Sequence, residues 1–326
     1  MVNQSDLPFR LLVKRYGATA TYTQMLVPDR LLNDVEYREF HQRDLQMASV
    51  DEIGRKVIVQ LCGDDPDIIV RAGRLLQTQC DGIDLNLGCP QVAARDGHYG
   101  AYLLGQKDWS LDVNIVSAMT SSFDVPVSVK LRLCQPFKQT SVLAQRLEAH
   151  GAAWVTLHAR TVSAMRRRQG PARLEEVARL KGVLSIPVVS NGNVRTWDDI
   201  PRNLLDTGAD GVMVGETLLG NPCLFSNILP DPVSISLEYL DLSREFLGTV
   251  TTLRTVQAHV RHFVDFQCAR RPWFSNFRAA LIACGDVNAI ERLLCTKTEE
   301  VSDDEAPAAA GDNRDDRDYG LGMLSL

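Results

Sequence analysis

Short runs of β-branched and apolar residues alternate with amphipathic stretches over most of this sequence. The predicted strands are Thr21–Met25, Val57–Leu61, Gly82–Asn86, Val127–Leu131, Trp154–His158, Val188–Asn191 and Gly211–Val214. The clearest predicted helices are Leu7–Tyr16, Asp67–Gln79, Ser141–His150 and Trp197–Thr207. This alternation indicates an α/β fold with a parallel sheet wrapped by helices. Seven such strands favour a (β/α)8 TIM barrel, and the lack of an early Gly-x-Gly-x-x-Gly turn argues against a Rossmann fold.

The two ends of the chain depart from this alternation. Residues 1–6 have the character of a loop that leads into the first helix, so we expect the first barrel strand to be missing. After Pro222 only helical patterns remain, at Ser236–Leu247, Leu253–Cys268 and Trp273–Leu294. We therefore predict a barrel domain over residues 1–230, a small all-helical domain over 231–297 and a disordered acidic tail over 298–326.

Charge is distributed unevenly along the chain. The formal net charge is -6, but residues 299–326 alone contain nine acidic and two basic residues, so the rest is close to neutral. A near-neutral body can still carry a basic face. Candidates for such a face are the run Arg166–Arg168 and the arginines of the helical region, namely Arg254, Arg261, Arg270, Arg271, Arg278 and Arg292. Charge alone neither supports nor excludes a nucleic-acid partner.

Composition excludes several classes of protein. No apolar run has the roughly 18 residues that a membrane helix needs, and the N-terminus lacks the apolar segment of a signal peptide. The eight cysteines include no Cys-x-x-Cys pair, which argues against a zinc ribbon or a thioredoxin-type site. We expect a monomeric intracellular protein, cytoplasmic or nuclear, with no membrane anchor, no metal and no disulfide framework.

Polar residues follow six of the predicted strands at the point where each strand ends. They are Gln60, Asn86 with Cys89, Lys130, His158 with Arg160, Asn191 with Gly192 and Asn193, and Gly215 with Glu216. The carboxyl ends of barrel strands form the active-site face of such folds. The last two groups contain glycines and follow the two final strands, the usual phosphate position. Lys130 and His158 are suited to neutralise or hydrogen-bond an electron-rich ring.

Several of these segments resemble the tRNA-dihydrouridine synthase family. The most specific is Leu85-Asn86-Leu87-Gly88-Cys89-Pro90, followed by Gly97-His98-Tyr99-Gly100. Further matches are the opening Met1–Arg10, Leu157–Thr161, Ser190–Val194 and Gly220–Pro222. The Gly-His-Tyr-Gly form is closest to the eukaryotic branch that reduces the paired D-loop uridines 16 and 17, and the resemblance extends to about Leu294.

The resemblance implies FMN as the bound flavin, NAD(P)H as the reductant and tRNA as the substrate. Cys89 is then the acid that gives a proton to C5 of the uracil, while hydride reaches C6 from the flavin. A thiol suits this step because it is mostly protonated at neutral pH yet releases its proton readily. The positions that match the family's FMN contacts are Met1, Gln60, Lys130, His158, Asn191, Gly192, Asn193, Gly215 and Glu216. Substrate contacts are expected from Asn86, Arg160 and His98.

Two other functions compete with this interpretation. An FMN-barrel dehydrogenase of a small pyrimidine would share the glycine loops and the lysine, but it would not account for the basic helical domain. A truncated tRNA-binding protein without activity would follow if the missing first strand prevented flavin binding. The family normally has a strand ending in Ala-Pro before Met1, and this sequence has Ala159 where the family usually has glycine.

Overall fold

A computed structural model describes residues 4–50, 56–163 and 170–301 of the chain. It contains a seven-stranded parallel sheet in which each strand pairs with the next one along the sequence. The strands are β1 (Thr21–Leu26), β2 (Val57–Leu61), β3 (Gly82–Leu87), β4 (Val127–Leu133), β5 (Trp154–Thr161), β6 (Val188–Asn191) and β7 (Gly211–Met213). The seven predicted strands are confirmed, and none of their ends differs by more than three residues.

Helices connect the strands and cover the outside of the sheet. They are α1 (Leu7–Arg15), α2 (Pro28–Asn33), α3 (Val35–Val50), α4 (Pro66–Arg74), α5 (Val92–Asp96), α6 (Trp109–Ser122), α7 (Gln139–Ala149), α8 (Leu174–Lys181), α9 (Asp199–Thr207) and α10 (Glu216–Gly220). Local chemistry sets their ends, as at α4, where the Asp65 side chain accepts hydrogen bonds from the N–H groups of Asp67 and Ile68. Every residue of β2 is buried, as expected for a strand covered on both faces.

The sheet curls into a TIM-barrel-like arrangement with two free edges. Strand β1 pairs only with β2, and β7 pairs only with β6. Within residues 4–50, 56–163 and 170–301, no eighth strand lies between them. The barrel class of the sequence prediction is therefore confirmed, with seven strands instead of eight in the part that the structure describes.

The chain continues as a group of four helices. They are α11 (Pro232–Phe246), α12 (Leu253–Cys268), α13 (Phe274–Ala283) and α14 (Val287–Val301). The single helix predicted over Trp273–Leu294 is wrong, because the chain turns at Cys284, whose backbone is extended. Asp286 then accepts a hydrogen bond from the N–H of Ala289 at 2.8 Å and starts a new helix. No described helix is long and apolar enough to cross a membrane.

Two large apolar cores divide the molecule. One lies between the sheet and helices α2 to α8. The other joins α11 to α14 with barrel residues Val194 and Leu218 and also with Phe9 and Leu12 of α1. The N-terminal helix therefore packs with the C-terminal helices, although it precedes the barrel in sequence. Met1, the run Arg166–Arg168 and the acidic tail beyond Val301 lie outside the described residues.

Candidate active site

A chain of side-chain hydrogen bonds runs along the carboxyl ends of β2 and β3. Asp84, which is fully buried, accepts a hydrogen bond from Gln60 Nε2 at 2.8 Å and another from Ser128 Oγ at 2.6 Å. The Oε1 atom of Gln60 in turn accepts from Asn86 Nδ2 at 2.8 Å. Because side chains alternate between the two faces of a strand, Asp84 and Asn86 point the same way. The structure thus brings the predicted residues Gln60 and Asn86 into direct contact.

Asn86 holds the loop that carries Cys89. Its Oδ1 atom accepts hydrogen bonds from the backbone N–H groups of Gly88 and Cys89, at 3.0 and 2.9 Å. The carbonyl of Cys89 accepts from the N–H of Ala101 at 3.0 Å. Gly100 has φ 66°, and a Cβ atom there would stand 2.9 Å from the Cys89 carbonyl oxygen. A glycine is required at this position because the two loops meet backbone to backbone.

Partial burial keeps the Cys89 thiol protonated. Burial raises the pKa of Cys89 above its ordinary value of 9.0. The backbone N–H of Gln91 and the positive charges of Arg132 and Lys130 oppose this shift but do not reverse it. A thiol in this state can donate a proton at neutral pH and is a poor nucleophile, which separates it from a cysteine activated for attack.

Lys130 is a partly buried cation beside this loop. It pairs in register with Asn86 on the neighbouring strand. Desolvation lowers the pKa of Lys130 to about 8, while the negative charge of Asp84 acts in the opposite direction. Within the described residues, the Lys130 ammonium group makes no hydrogen bond or ion pair, although the charge of Asp84 acts on it. A desolvated cation of this kind fits an anionic or electron-rich ligand, such as a reduced flavin ring.

His158 lies within β5, in a positive environment. Burial, together with the charges of Lys130, Arg132 and Arg160, lowers the pKa of His158 to about 2. The imidazole is therefore neutral at any physiological pH and acts as a hydrogen-bonding group instead of a cation. Arg132 also donates a hydrogen bond to the carbonyl of Thr161 at 2.7 Å, which ties the end of β5 to β4.

The loop after β6 presents its backbone to the site. Asn191 pairs in register with His158 and donates from Nδ2 to the carbonyl of Met213 at 2.8 Å. Gly192 has φ 130°, and a Cβ atom there would stand 2.6 Å from the Cβ of Ala172. Asn193 also has a positive φ, 58°, and its amide bonds both the N–H and the carbonyl of Ala172. Its side chain is thus committed within the protein, and its backbone N–H remains for a ligand.

A small pocket opens next to this loop. It is lined by Arg160, Asn193, Val194 and Arg195, so two predicted site residues share one cavity with a second arginine. The predicted residues Gly215 and Glu216 follow β7, where Glu216 begins the short helix α10. A left-handed glycine, exposed backbone N–H groups and two guanidinium groups have the chemistry that a phosphate needs.

The ring of His98 faces two carboxylates. Its Nδ1 atom is 3.6 Å from Asp64 Oδ2, and its Nε2 atom is 3.5 Å from Asp108 Oδ1. The His98 side chain is nonetheless 45% exposed, so it is accessible from solvent. Its backbone has a positive φ, 49°, within the loop that packs on Cys89. Among the remaining site predictions, Met1 lies outside the described residues.

The sequence prediction missed the buried polar residues beneath the site. Asp84, Ser128 and Thr23, whose hydroxyl accepts from the Gln60 N–H at 3.1 Å, belong to the same hydrogen-bonded group. A signal was present, because Asp84 precedes Asn86 by two residues and Ser128 precedes Lys130 by two. Period-two spacing places each pair on one face of its strand. In the described part of the chain, no cluster of three or more His, Cys, Asp or Glu residues has the geometry of a metal site.

The model of the family described as dihydrouridine synthase (Dus) matches residues 1–293. This chain belongs to the dihydrouridine synthase family. The match covers the sheet, the Cys89 loop, the glycine loop after β6 and helices α11 to α13.

Known members of the dihydrouridine synthase family are moderately similar to this chain. A Mus musculus protein named tRNA-dihydrouridine(16/17) synthase NAD(P)(+)-like is 39% identical over 245 residues, which cover 75% of this chain and 50% of that protein. The tRNA-dihydrouridine(16/17) synthase of Saccharomyces cerevisiae is 34% identical over 269 residues, covering 79% and 62%. A Homo sapiens tRNA-dihydrouridine(20a/20b) synthase-like protein is 32% identical over 252 residues, covering 76% of each. The chain spans about half the length of the two rodent relatives that it matches.

Proposed function

We propose that this chain is a tRNA-dihydrouridine synthase. It would reduce uridine to 5,6-dihydrouridine in the D-loop of tRNA, at positions 16 and 17, with FMN as the cofactor and NAD(P)H as the reductant. The observation that carries the proposal is the Cys89 loop, which Asn86 holds beside Lys130 in a member of this family. The similarity to proteins named for positions 16 and 17 supports the choice of position.

The roles of the residues follow from their surroundings. When bound, FMN supplies the hydride chemistry, and the protein supplies orientation and a proton. Cys89, whose pKa is raised by burial, keeps its proton at neutral pH and donates it from Sγ to C5 of the uracil. Lys130 places a positive charge beside the electron-rich ring. Neutral His158 offers a hydrogen bond without adding a second charge.

Phosphate and substrate contacts complete the proposed site. Gly192, Asn193 and Gly215 would hold the FMN phosphate through backbone N–H groups, with Glu216 at the start of the adjoining helix α10. Arg160 lines the neighbouring pocket and would contact the cofactor or the RNA. Asn86 would orient the uracil, and His98 would reach the substrate from the loop over Cys89. A uridine within folded tRNA must leave its stack to enter such a site.

The helical region offers a surface for the RNA backbone. Burial and the positive charge of Arg278 on α13 lower the pKa of Arg261 on α12, so the two guanidinium groups are near enough to repel each other. Two neighbouring guanidinium groups favour a phosphate between them. Removing both with the double variant Arg261→Ala/Arg278→Ala is expected to weaken tRNA binding and to reduce its salt dependence. The control is Arg179→Ala, because Arg179 is paired with Glu176 on the barrel.

The deciding experiment measures the product directly. Purified protein is incubated with FMN, NADPH and unmodified tRNA, and dihydrouridine is located by mass mapping of the D-loop. Reduction at positions 16 and 17 is expected, and the same assay with free uracil or orotate should give no product. Product from a free pyrimidine but not from tRNA would favour a small-molecule dehydrogenase. A colourless protein that binds tRNA but never reduces it would favour a binding protein.

Cys89→Ala is the variant that tests the proposed proton donor. We expect this variant to bind tRNA like the unaltered protein but to form dihydrouridine about 10²–10⁴-fold more slowly, the usual contribution of a positioned acid. The matched control is Cys295→Ala, which removes an exposed thiol far along α14. Equal rates in the two variants would contradict the role assigned to Cys89.

A further inference from the structure

Asp84 lies below the proposed reacting groups, and its side chain is hydrogen-bonded to Gln60 and Ser128 and not to the loop that carries Cys89. Its side chain is fully buried, and its two oxygens accept hydrogen bonds from Gln60 and Ser128. An ionised carboxylate can only accept hydrogen bonds, whereas an amide has one accepting end and one donating end. Asp84 therefore dictates which end of the Gln60 amide faces it.

The orientation that Asp84 imposes on the Gln60 amide also determines the orientation of the Asn86 amide. Because Gln60 turns its Nε2 towards Asp84, its Oε1 must face Asn86. Asn86 then turns its Nδ2 towards Gln60, which leaves its Oδ1 for the N–H groups of Gly88 and Cys89. If the Gln60 amide were reversed, the Asn86 amide would have to reverse as well. Asn86 would then point its Nδ2 donor at the N–H groups of Gly88 and Cys89, which are also donors. The position of the Cys89 backbone therefore depends on the orientation of both amides.

We propose that Asp84 is a positioning residue for the reaction, because its acceptor-only carboxylate fixes the orientation of Gln60 and Asn86 and thereby the backbone of Cys89. This inference rests on the proposed function only in taking Cys89 to be the reacting thiol. The hydrogen bonds from Asp84 through Gln60 and Asn86 to the Cys89 backbone belong to the protein alone, so they can be tested without cofactor or RNA.

The charges around Asp84 favour the acceptor-only form. Burial raises the pKa of Asp84 to about 6, against the hydrogen bonds from Ser128 and Gln60 and the positive charge of Lys130. Burial, together with the negative charge of Asp84, raises the pKa of Tyr22 on β1 above its ordinary value of 10.0, so the phenol stays neutral. Asp84 is therefore ionised at pH 7.5, where it cannot donate to Gln60.

Hydrogen exchange at the Cys89 loop provides the test. The full chain, without flavin, RNA or reductant, is compared with Asp84→Leu and Asp84→Asn at pH 7.5 by mass spectrometry of overlapping peptides across Leu85–Gln91. In Asp84→Leu, exchange at Gly88 and Cys89 is expected to rise about tenfold, because the Asn86 acceptor is no longer held in place. An asparagine at position 84 can either accept from or donate to Gln60, so Asp84→Asn permits both orientations of the Gln60 amide. Exchange at Gly88 and Cys89 should therefore rise less in this variant, by about threefold.

Matched controls separate positioning from general stability. Ser190→Ala removes a buried hydroxyl from β6, where Ser190 pairs with Leu157 on the face away from the site. Exchange at Gly88 and Cys89 should be unchanged in this variant. Exchange across Val188–Asn191, on β6 and three strands away from Asp84, should be unchanged in both Asp84 variants.

Two outcomes would overturn the proposal. The first is exchange at Gly88 and Cys89 that stays at the level of the unaltered protein in both Asp84 variants, and the second is a uniform rise over the whole sheet. If Asp84→Leu does not fold, Asp84→Asn decides alone. Failure of the dihydrouridine assay would leave these exchange results intact, so the two proposals can fail separately.

Discussion

At the scale of single residues, the contact between Gly100 and the Cys89 backbone leaves no room for a side chain at position 100. Gly100 combines a left-handed backbone with a Cβ direction that points at the Cys89 carbonyl. We expect Gly100→Ala to slow dihydrouridine formation by about 10–100-fold, because a displacement near 1 Å at a reacting group can cost that much. The control is Gly248→Ala, which has a similar φ, 76°, but open space around the added methyl group. Similar losses of activity in both variants would show that the contact with Cys89 is irrelevant.

Asp112 gives a second prediction at this scale, for stability against pH. The residue is fully buried on α6, and within the described residues neither carboxyl oxygen has a hydrogen-bond partner. Burial, reinforced by the charge of Asp108, raises the pKa of Asp112 to about 8 from 3.8. The folded state therefore holds the proton more tightly than the unfolded state does. Stability should fall as pH rises from about 4 through 8.

The variant Asp112→Asn isolates this effect. It keeps the shape of the side chain but cannot ionise, so it should be more stable than the unaltered protein by about 1–3 kcal/mol at pH 8 to 9. The difference should shrink at pH 5, where Asp112 is already neutral. Urea unfolding at several pH values measures it, with Asp206→Asn on the exposed side of α9 as the control. A pH-independent difference would contradict the assigned proton affinity.

At the scale of elements, one glutamine secures the end of α13. Gln257 Nε2 lies 3.0, 3.3 and 2.9 Å from the carbonyl oxygens of Leu281, Ile282 and Cys284. The last carbonyls of a helix need partners of this kind. Gln257→Leu should therefore lower the free energy of unfolding by about 1–3 kcal/mol. Gln267 lies on α12, like Gln257, and donates one hydrogen bond to the Pro230 carbonyl. Gln267→Leu should therefore lower the free energy of unfolding by a smaller amount.

The strands were predictable from the sequence because their signal is local. Each is a short β-branched run, and the family resemblance identified the polar residues at the strand ends. The break at Cys284 was not predictable from periodicity, because apolar residues continue at helical spacing through it. The contacts of His98 with Asp64 and Asp108 join three separate loops, so no short stretch of sequence contains them. Asp84 was missed because it lies inside its predicted strand, two residues before Asn86, whereas the search for site residues considered the strand ends.

At the scale of the whole molecule, a buried polar cluster joins the start of the chain to the last helices. Asp6 accepts hydrogen bonds from Tyr239 at 2.9 Å and from Thr251, and its Oδ1 lies 3.2 Å from His259 Nε2. Phe9 stacks on the His259 ring with centroids 4.4 Å apart. Asp6 and helix α1 therefore contribute contacts that hold the helical region against the barrel.

Removing the contacts of Asp6 should uncouple the unfolding of the helical region from that of the barrel. Asp6→Ala leaves three buried polar groups without their partner, and we expect it to cost about 3–5 kcal/mol. Calorimetry should then resolve two transitions instead of one, and proteolysis should cut between α10 and α11. Asp6→Asn, which retains an acceptor, should show a smaller change. A single transition at the original temperature in Asp6→Ala would contradict the coupling.

The position of α1 also bears on how the protein is made. In sequence, 233 residues separate Asp6 from Tyr239, so the first helix leaves the ribosome long before its packing partners exist. Domains generally begin to fold during synthesis, and exposed apolar surface invites aggregation. Leu7 and Leu11 of α1 can pack on Ala48 of α3 early in synthesis, but Phe9 and Leu12, which face the C-terminal helices, stay uncovered while the rest of the barrel is translated. A nascent chain stalled before α11 would display the barrel strands together with a first helix whose Phe9 and Leu12 are still exposed, and exposed apolar surface of this kind is bound by chaperones and attacked by proteases.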